Sequence, residues 1–258
     1  MSGLPKVLNI NKKLTPIYLD FGKKIGGEIS FLYKKLAFGS ESFFSEKIEE
    51  DFKERMRKLL TPYTQHVSFP FIQHTGHAIC VSKNEEVAHG FYDGPINFTK
   101  DIVSFDFGVS IVIDKVEANF DFAFTLGPEK WVTEPQNTLK RIIREQPKTT
   151  FEISSIIEDV EMKKVVQLTG HGIGEELHQA PAIHNMIGKF NSVPLINGMA
   201  FCPEPIYTKK TEELEEIEQV YMEEDKIKTM SGFPSTHWET TILKTEGELI
   251  DVIGITEL

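Results

Sequence analysis

Two histidines lie seven residues apart in a glycine-rich stretch, residues 169–181, which reads TGHGIGEELHQAP. Glycine tolerates backbone angles that other residues avoid and lets neighbouring chain approach closely. We therefore interpret the stretch as a turn that leaves the His171 imidazole free of bulky neighbours. Histidine is the commonest metal ligand and titrates close to neutral pH. The stretch predicts a site if the chain supplies matching carboxylates, and is otherwise a loop that happens to hold two histidines.

Two aspartates lie between aromatic residues on the two arms of a predicted hairpin, Asp106 between two phenylalanines and Asp121 between two more. An acid inside an apolar strand is costly to bury unless it is paired or binds a cation. A single such acid is often part of a structural salt bridge. Two on adjacent strands would repel each other, which favours a cation between them.

Two glutamates have similar surroundings. Glu204 ends an apolar run between two prolines, and Glu239 lies in the middle of a predicted strand. With the two aspartates and His171 they form an oxygen-rich set that can hold two divalent cations if two carboxylates bridge. The set suits Mn, Co or Fe, or Zn with a nitrogen ligand, better than a structural zinc site.

Two metals close together can lower the pKa of a shared water and stabilise the charge that develops when this water attacks a carbonyl. His89 and His178 are then left as imidazoles that can hydrogen-bond a substrate, stabilise an oxyanion or move a proton. These residues together predict a metal-dependent hydrolase.

Short strands must position these residues. We expect a strand at 78–82 that leads into the loop of His89, and a hairpin over 101–127 that turns at Asp114-Lys115. The other predicted strands are 165–168, 198–205 and 234–243.

Helices are predicted from apolar residues at helical spacing. The predicted helices are 16–36, 45–60, 134–146 and 152–160, with a short surface helix in the acidic segment 211–225. Gly26-Gly27 interrupts the first helix and indicates close packing against another element.

The composition limits the classes of function. The chain has 258 residues and a formal net charge of -11, which argues against nucleic acid or an anionic membrane as partner. No apolar run approaches the ~20 residues that span a bilayer, and the first residues lack the apolar core of a secretory signal. We interpret Cys80 and Cys202 as buried free thiols, and we expect a cytoplasmic monomer.

The order Asp, Asp, Gly-His-Gly-Ile-Gly-x-x-x-His-x-x-Pro, Pro-Glu-Pro, Glu, preceded by the residues around His89, closely resembles the methionine aminopeptidases. Gly172 and the short separation of Glu204 from Glu239 resemble the type I enzymes. The resemblance implies an α+β "pita-bread" fold, a pseudo-twofold antiparallel sheet flanked by helices. It covers nearly the whole chain, which implies a single catalytic domain over 1–258 with a short N-terminal extension, 1–15.

The resemblance also implies a role for each metal ligand. Asp106 chelates one metal, Asp121 and Glu239 bridge both, and His171 and Glu204 hold the second. Glu204 is implied as a proton shuttle as well. The implied cofactor is two divalent metal ions: Co, Mn, Fe or Zn.

The substrate-binding roles follow in the same way. The resemblance places His89 at the scissile amide and His178 at the carbonyl, where it would stabilise the tetrahedral intermediate. Cys80 falls where the family lines its methionine pocket, and Leu177 falls where an aromatic residue is common.

Three features depart from the family pattern. The hairpin between Asp106 and Asp121 is longer than usual, so a shifted register would bring Asn119 to the place of Asp121. The family's Glu-His-Thr is here Glu239-Thr240-Thr241, and the acidic segment replaces a glycine-containing turn.

The implied function is removal of the initiator methionine from new polypeptides, near the ribosome. One alternative is a prolidase or aminopeptidase P relative, which shares the fold and ligands. That class typically lacks the second histidine at this spacing and has a larger N-terminal domain. The other alternative is a non-catalytic binding protein on the same scaffold, a class usually marked by lost ligands.

Overall fold

The computed structural model describes residues 4–38, 43–44, 46–91, 94–210 and 216–258. The helices are α1 (Leu4–Phe38), α2 (Glu46–Leu60), α3 (Ile72–Thr75), α4 (Glu134–Glu145) and α5 (Thr150–Glu158), with 3-10 helices at Lys130–Thr133 and Ile255–Glu257. Of these helices in the described residues, none is long and apolar enough to cross a membrane.

The strands are short except for one long pair. They are β1 (Phe43–Phe44), β2 (His66–Ser68), β3 (Ile79–Lys83), β4 (Glu86–Ala88), β5 (Gly94–Pro95), β6 (Val103–Ile113), β7 (Val116–Leu126), β8 (Lys163–Val165), β9 (Thr169–Ile173), β10 (Gln179–His184), β11 (Ala200–Cys202), β12 (Ile206–Thr208), β13 (Ile217–Glu218), β14 (Val220–Glu223), β15 (Lys226–Thr229), β16 (Ser235–His237), β17 (Ile242–Lys244) and β18 (Leu249–Asp251).

The first half of the chain is organised around the hairpin of β6 and β7. These strands are paired along their whole length, from Val103 opposite Leu126 to Ile113 opposite Val116 at the turn. Both β2 and β3 pair antiparallel with β6. Asp114 and Lys115 have positive φ angles of 49° and 65°, as the two central residues of a type I′ hairpin turn require. The predicted hairpin and its turn are confirmed.

The second half forms a sheet of order β10-β9-β11-β17-β18 and a second sheet of order β13-β8-β12-β16. Strand β7 borders this half: the backbones of Ala123 and Glu239 exchange hydrogen bonds of 3.1 and 3.0 Å, and the Asn119 amide donates to the Gly174 carbonyl at 3.0 Å. The two halves therefore meet at β7. Helices lie against both halves, and the predicted α+β class of antiparallel sheets flanked by helices is confirmed.

An aromatic cluster fills the core beneath the hairpin. Phe107 stacks on Phe122 at 5.4 Å between ring centroids, and Phe105 lies 5.3 Å from Phe124. Helix α1 covers this cluster, and its Tyr18 hydroxyl donates to the Asn119 carbonyl at 3.0 Å. The long hairpin is therefore held rigidly where its two aspartates lie.

Helix α1 confirms the predicted helix over 16–36 but begins earlier, at Leu4. Residues 4–15, which belong to the predicted N-terminal extension 1–15, are helical and continue directly into the predicted helix. The predicted start followed the apolar residues at helical spacing, the first of which is Tyr18, and proline is most common in the first turn of a helix. Here Pro16 lies inside a longer helix.

The predicted surface helix in the acidic segment 211–225 is wrong where the structure describes it. Residues 217–223 form β13 and β14, and a turn with positive φ at Glu224 and Asp225 leads into β15. β-branched and aromatic side chains favour strands, and this segment pairs with β8 and β15. Residues 211–215 lie outside the described part of the chain.

Of the two adjacent glycines of α1, Gly26 and Gly27, only the first packs closely against another part of the chain. A Cβ at Gly26 would lie 1.8 Å from the Ile253 carbonyl oxygen, whereas a Cβ at Gly27 would meet no atom within 4 Å. The predicted close contact is confirmed for Gly26 alone.

Alanine substitutions at these two glycines are expected to have opposite effects. Gly26→Ala should lower the free energy of unfolding by about 1–3 kcal/mol because helix and loop must separate. Gly27→Ala should raise it by about 0.5–1 kcal/mol because alanine loses less backbone entropy in a helix. Urea denaturation of both variants measures the difference, and equal shifts would contradict the assigned contact.

Candidate metal centre and active site

The glycine-rich stretch begins with strand β9, so His171 lies in a strand rather than in the predicted turn. The glycines of this strand make room for neighbouring strands. A Cβ at Gly170 would lie 2.4 Å from the Cys202 carbonyl oxygen, and a Cβ at Gly172 would lie 2.3 Å from that of Ala180. Strand β9 thus fits between β10 and β11 only with glycine on both sides of His171.

His171 is oriented by its own strand. Its Nδ1 lies 3.0 Å from the Gly172 carbonyl oxygen, which can only accept a hydrogen bond. Nδ1 therefore carries the proton in the neutral ring, and the Nε2 lone pair faces the carboxylates. This is the usual arrangement of a histidine that binds a metal.

The hairpin register decides between Asp121 and Asn119. Asp106 pairs with Ala123, so Asp106 and Asp121 lie diagonally on one face of the sheet. Asn119 instead donates from its side chain to the Gly174 carbonyl at 3.0 Å. The structure therefore places Asp121, and not Asn119, next to His171.

All five predicted ligands meet at one point. His171 Nε2 lies 3.6 Å from Asp121 Oδ2, 3.5 Å from Glu204 Oε1 and 3.4 Å from Glu239 Oε1. Asp106 offers an oxygen within 4.8 Å of oxygens of Asp121 and Glu239. Residues from both halves of the chain thus form a single cluster.

The cluster has the properties of a cation site. Asp106 Oδ1, Asp121 Oδ1, His171 Nε2 and Glu239 Oε1 are buried and have no hydrogen-bond partner among the described residues. Burial, followed by the charge of Glu239, raises the pKa of Asp106, Asp121 and Glu204 well above the usual range. Burial raises the pKa of Glu239 to about 8. A bound cation would satisfy these atoms and keep the carboxylates ionised, so the residues fit divalent metal.

The cluster lies in a cavity of about 550 Å³. Part of its lining is apolar: Phe71, Cys80, Leu168 and Leu177. Cys80 is opposite Asp106 in the pairing of β3 with β6, so the predicted pocket residue lies directly beside the carboxylates.

Two further histidines line the cavity outside the cluster. His89 follows β4 with a positive φ of 59°, a conformation that costs energy for a non-glycine residue and is concentrated at functional sites. The His178 side chain is 65% exposed, with Nε2 at 3.8 Å from Asp121 Oδ2. Its ring stands perpendicular to His171 at 4.3 Å between centroids. The structure thus brings both predicted substrate-binding histidines to the site.

His237 also lines this cavity, and the sequence interpretation missed it. Its Nε2 lies 3.5 Å from Glu204 Oε2 and 3.7 Å from Glu239 Oε2. Burial, followed by the charge of His171, lowers the pKa of His237 to about 3, so the ring is neutral. His237 lies two residues before Glu239 in the predicted strand 234–243, and residues two apart on a strand share a face. This spacing could have identified His237 from the sequence.

Cys202 lies behind the cluster. Its Sγ is 3.5 Å from Thr241 Oγ1 and within 4.8 Å of ligand atoms of His171 and Glu239. Both Cys80 and Cys202 are buried free thiols, which confirms that prediction.

An α+β fold that gathers four carboxylates and a histidine in a cavity defines a metal-dependent hydrolase. The chain belongs to metallopeptidase family M24, whose sequence pattern matches residues 39–246. Members of this family bind divalent metal, in agreement with the geometry of the cluster.

The chain is similar to methionine aminopeptidases in sequence and structure. It is 25% identical over 235 residues to the methionine aminopeptidase of Clostridium perfringens, covering 86% of this chain and 88% of that protein. The structure of the Thermotoga maritima methionine aminopeptidase superposes with a TM-score of 0.71 at 26% identity, covering 90% of this chain and 93% of the other. The predicted resemblance and pita-bread fold are confirmed.

The fold is shared with a second class of enzyme. The Xaa-Pro dipeptidase of Bacillus anthracis superposes with a TM-score of 0.61 at 20% identity, covering 98% of this chain but 64% of that one. This likeness concerns the fold alone.

Proposed function

We propose that this protein is an aminopeptidase that uses two divalent metal ions to remove the N-terminal methionine from peptides and newly made proteins. One observation carries the proposal. The carboxylate–histidine cluster and an apolar wall line the same cavity, so a peptide's first side chain and its first amide can be held together.

The proposed ligands divide between two positions. Asp106 would hold one metal, His171 and Glu204 would hold the other, and Asp121 and Glu239 would be shared by both. When bound, such a metal pair lowers the pKa of a shared water and neutralises the charge that develops on the carbonyl oxygen. The buried oxygen and nitrogen atoms of the cluster that lack a hydrogen-bond partner among the described residues support these assignments.

Three residues of the cavity bind the substrate or transfer protons during its cleavage. His178, on the exposed side of the cluster, donates to the carbonyl oxygen of the scissile bond and stabilises the oxyanion. His89 contacts the scissile amide. Glu204 accepts a proton from the attacking water and transfers it to the leaving amine.

The apolar wall sets the preference for the first residue. Cys80, Phe71, Leu168 and Leu177 line the cavity and offer no charged group to the side chain. An unbranched thioether side chain adapts well to such a surface, which favours methionine. The predicted cytoplasmic location, monomeric state and proximity to the ribosome belong to the same proposal.

A peptide panel tests the proposal. Protein supplied with Mn or Co is expected to release methionine from Met-Ala-Ser, to lose activity with a chelator and to regain it when metal is restored. Cleavage of Xaa-Pro substrates without cleavage of Met-Ala-Ser would indicate a prolidase. Absence of any activating metal would indicate a binding protein.

A further inference from the structure

The His237 imidazole is held in a fixed position beside the cluster. Its backbone amide donates to Thr125 Oγ1 at 2.9 Å, and its carbonyl accepts from the same hydroxyl at 2.7 Å. On either side, Thr236 Oγ1 and Trp238 Nε1 donate to the Val132 carbonyl at 2.7 and 2.9 Å. This strand therefore has little freedom to move the ring away from the cavity.

His237 Nε2 is buried and has no hydrogen-bond partner among the described residues. The same is true of His171 Nε2. Leaving a buried polar atom unpaired is energetically unfavourable. A rigidly held imidazole that faces carboxylates with an unpaired nitrogen thus resembles His171 in its surroundings as well as in its chemistry.

The two histidines divide the oxygens of the two glutamates between them. His171 faces Oε1 of both Glu204 and Glu239, and His237 faces Oε2 of both. Each glutamate thus presents one oxygen to each ring. The two glutamates therefore lie between the two rings, and a cation that they hold can take a nitrogen from each ring.

The distances fit a shared cation better than direct hydrogen bonds. The nitrogen–oxygen separations of His237 are 3.5 and 3.7 Å, at or beyond the limit for a hydrogen bond. Tetrahedral ligands held at about 2.0–2.2 Å from a zinc ion lie roughly 3.3–3.5 Å from one another. Small movements would bring all three ligand atoms to one metal.

We propose that His237 is a second nitrogen ligand of the metal centre and completes, with Glu204 Oε2 and Glu239 Oε2, a position for a nitrogen-preferring divalent cation. The inference rests on the proposed function, since it assigns a further ligand to the same centre. Imidazole favours Zn and Fe, whereas all-oxygen sites suit Mn. His237 therefore shifts the selectivity of the centre from manganese towards zinc.

Metal competition tests this selectivity. Metal-free wild-type protein, His237→Gln and His66→Gln are offered equimolar Zn and Mn, and the bound metals are counted by mass spectrometry. His66, an exposed residue of β2, supplies the same chemical change outside the centre. His237→Gln is expected to bind zinc at least about 10-fold more weakly than wild type, with a smaller loss for manganese. An unchanged zinc affinity and Zn/Mn ratio would overturn the inference.

A crystal structure of the zinc-loaded wild-type protein removes any dependence on how the variant folds. An anomalous zinc peak is expected at about 2.0–2.1 Å from His237 Nε2. Zinc peaks near His171 but none within ligand distance of His237 would overturn the inference and leave the proposed function intact. Zinc bound by His237 in a protein that releases no methionine would overturn the proposed function alone.

Discussion

Asp121→Asn is expected to reduce methionine release at least about 100-fold. Removing a hydrogen-bond partner of a metal ligand typically lowers metal affinity or activity about 10–100-fold, and loss of Asp121, the proposed bridging ligand itself, should exceed that. Asparagine keeps the shape of the side chain, so packing between β6 and β7 is preserved. Its neutral amide, however, cannot bridge two cations or offset their charge.

Asn119→Ala is the matched control for the register of the hairpin. Its lost side-chain hydrogen bond to Gly174 should cost about 1 kcal/mol of stability, while the backbone amide of residue 119 keeps its own bond to that carbonyl. Release of methionine from Met-Ala-Ser and metal content are measured for both variants. If Asn119→Ala lost methionine release and metal while Asp121→Asn kept both, the metal ligand would have been assigned to the wrong residue.

His171→Ala and His178→Ala are expected to separate metal binding from catalysis. His171 is buried, and its Nε2 faces three carboxylates, so its removal should release metal. The His178 side chain is mostly exposed and would act on the substrate. The His178→Ala variant should therefore keep its metal, but its kcat should fall about 10²–10³-fold, which is the usual effect of removing a hydrogen-bond donor to an oxyanion.

Metal content by mass spectrometry and kcat by peptide assay are measured on the same samples. Because Asp121, His171 and His178 also offer ligand atoms within 4.8 Å of one another, the opposite result has a definite meaning. If His178→Ala lost metal as His171→Ala does, His178 would be a ligand rather than a substrate-binding residue.

The periodic parts of the fold could be predicted from the sequence. The 101–127 hairpin alternates apolar side chains and turns at Asp114-Lys115, where aspartate tolerates positive φ, so both pattern and turn indicated it. The helices α2, α4 and α5 follow apolar stripes in the same way. Their ends were less certain, and the start of α1 was placed too late because the apolar stripe that indicated it begins near Tyr18, whereas the helix begins at Leu4.

Other features depend on contacts that a local pattern does not contain. Glycines weaken isolated strands, so Gly170 and Gly172 suggested a turn. They lie in β9 because strands β10 and β11 approach too closely for a side chain. The segment 217–223 matches helical spacing as well as strand alternation, and pairing with β8 and β15 decided its structure.

The candidate site was found in a different way. Asp106, Asp121, His171, Glu204 and Glu239 are far apart in the chain. Acids in apolar surroundings and a histidine in a glycine-rich stretch selected them, and the family resemblance then assigned a role to each. His237 was overlooked because the interpretation followed the motif around Glu239. His237 lies two residues before Glu239 in the predicted strand 234–243, and residues at this spacing share a face, which would have been enough to identify His237 as a candidate.

The central claim is that the cluster holds metal and that this metal enables the release of methionine. The most direct measurement is release of methionine from Met-Ala-Ser as metal-free protein is titrated with Mn, Co or Zn, with bound metal counted at each point. No methionine is expected to be released without metal, and release should rise with occupancy of the cluster up to two ions per chain. Full release by metal-free protein, or occupancy without any release, would contradict it.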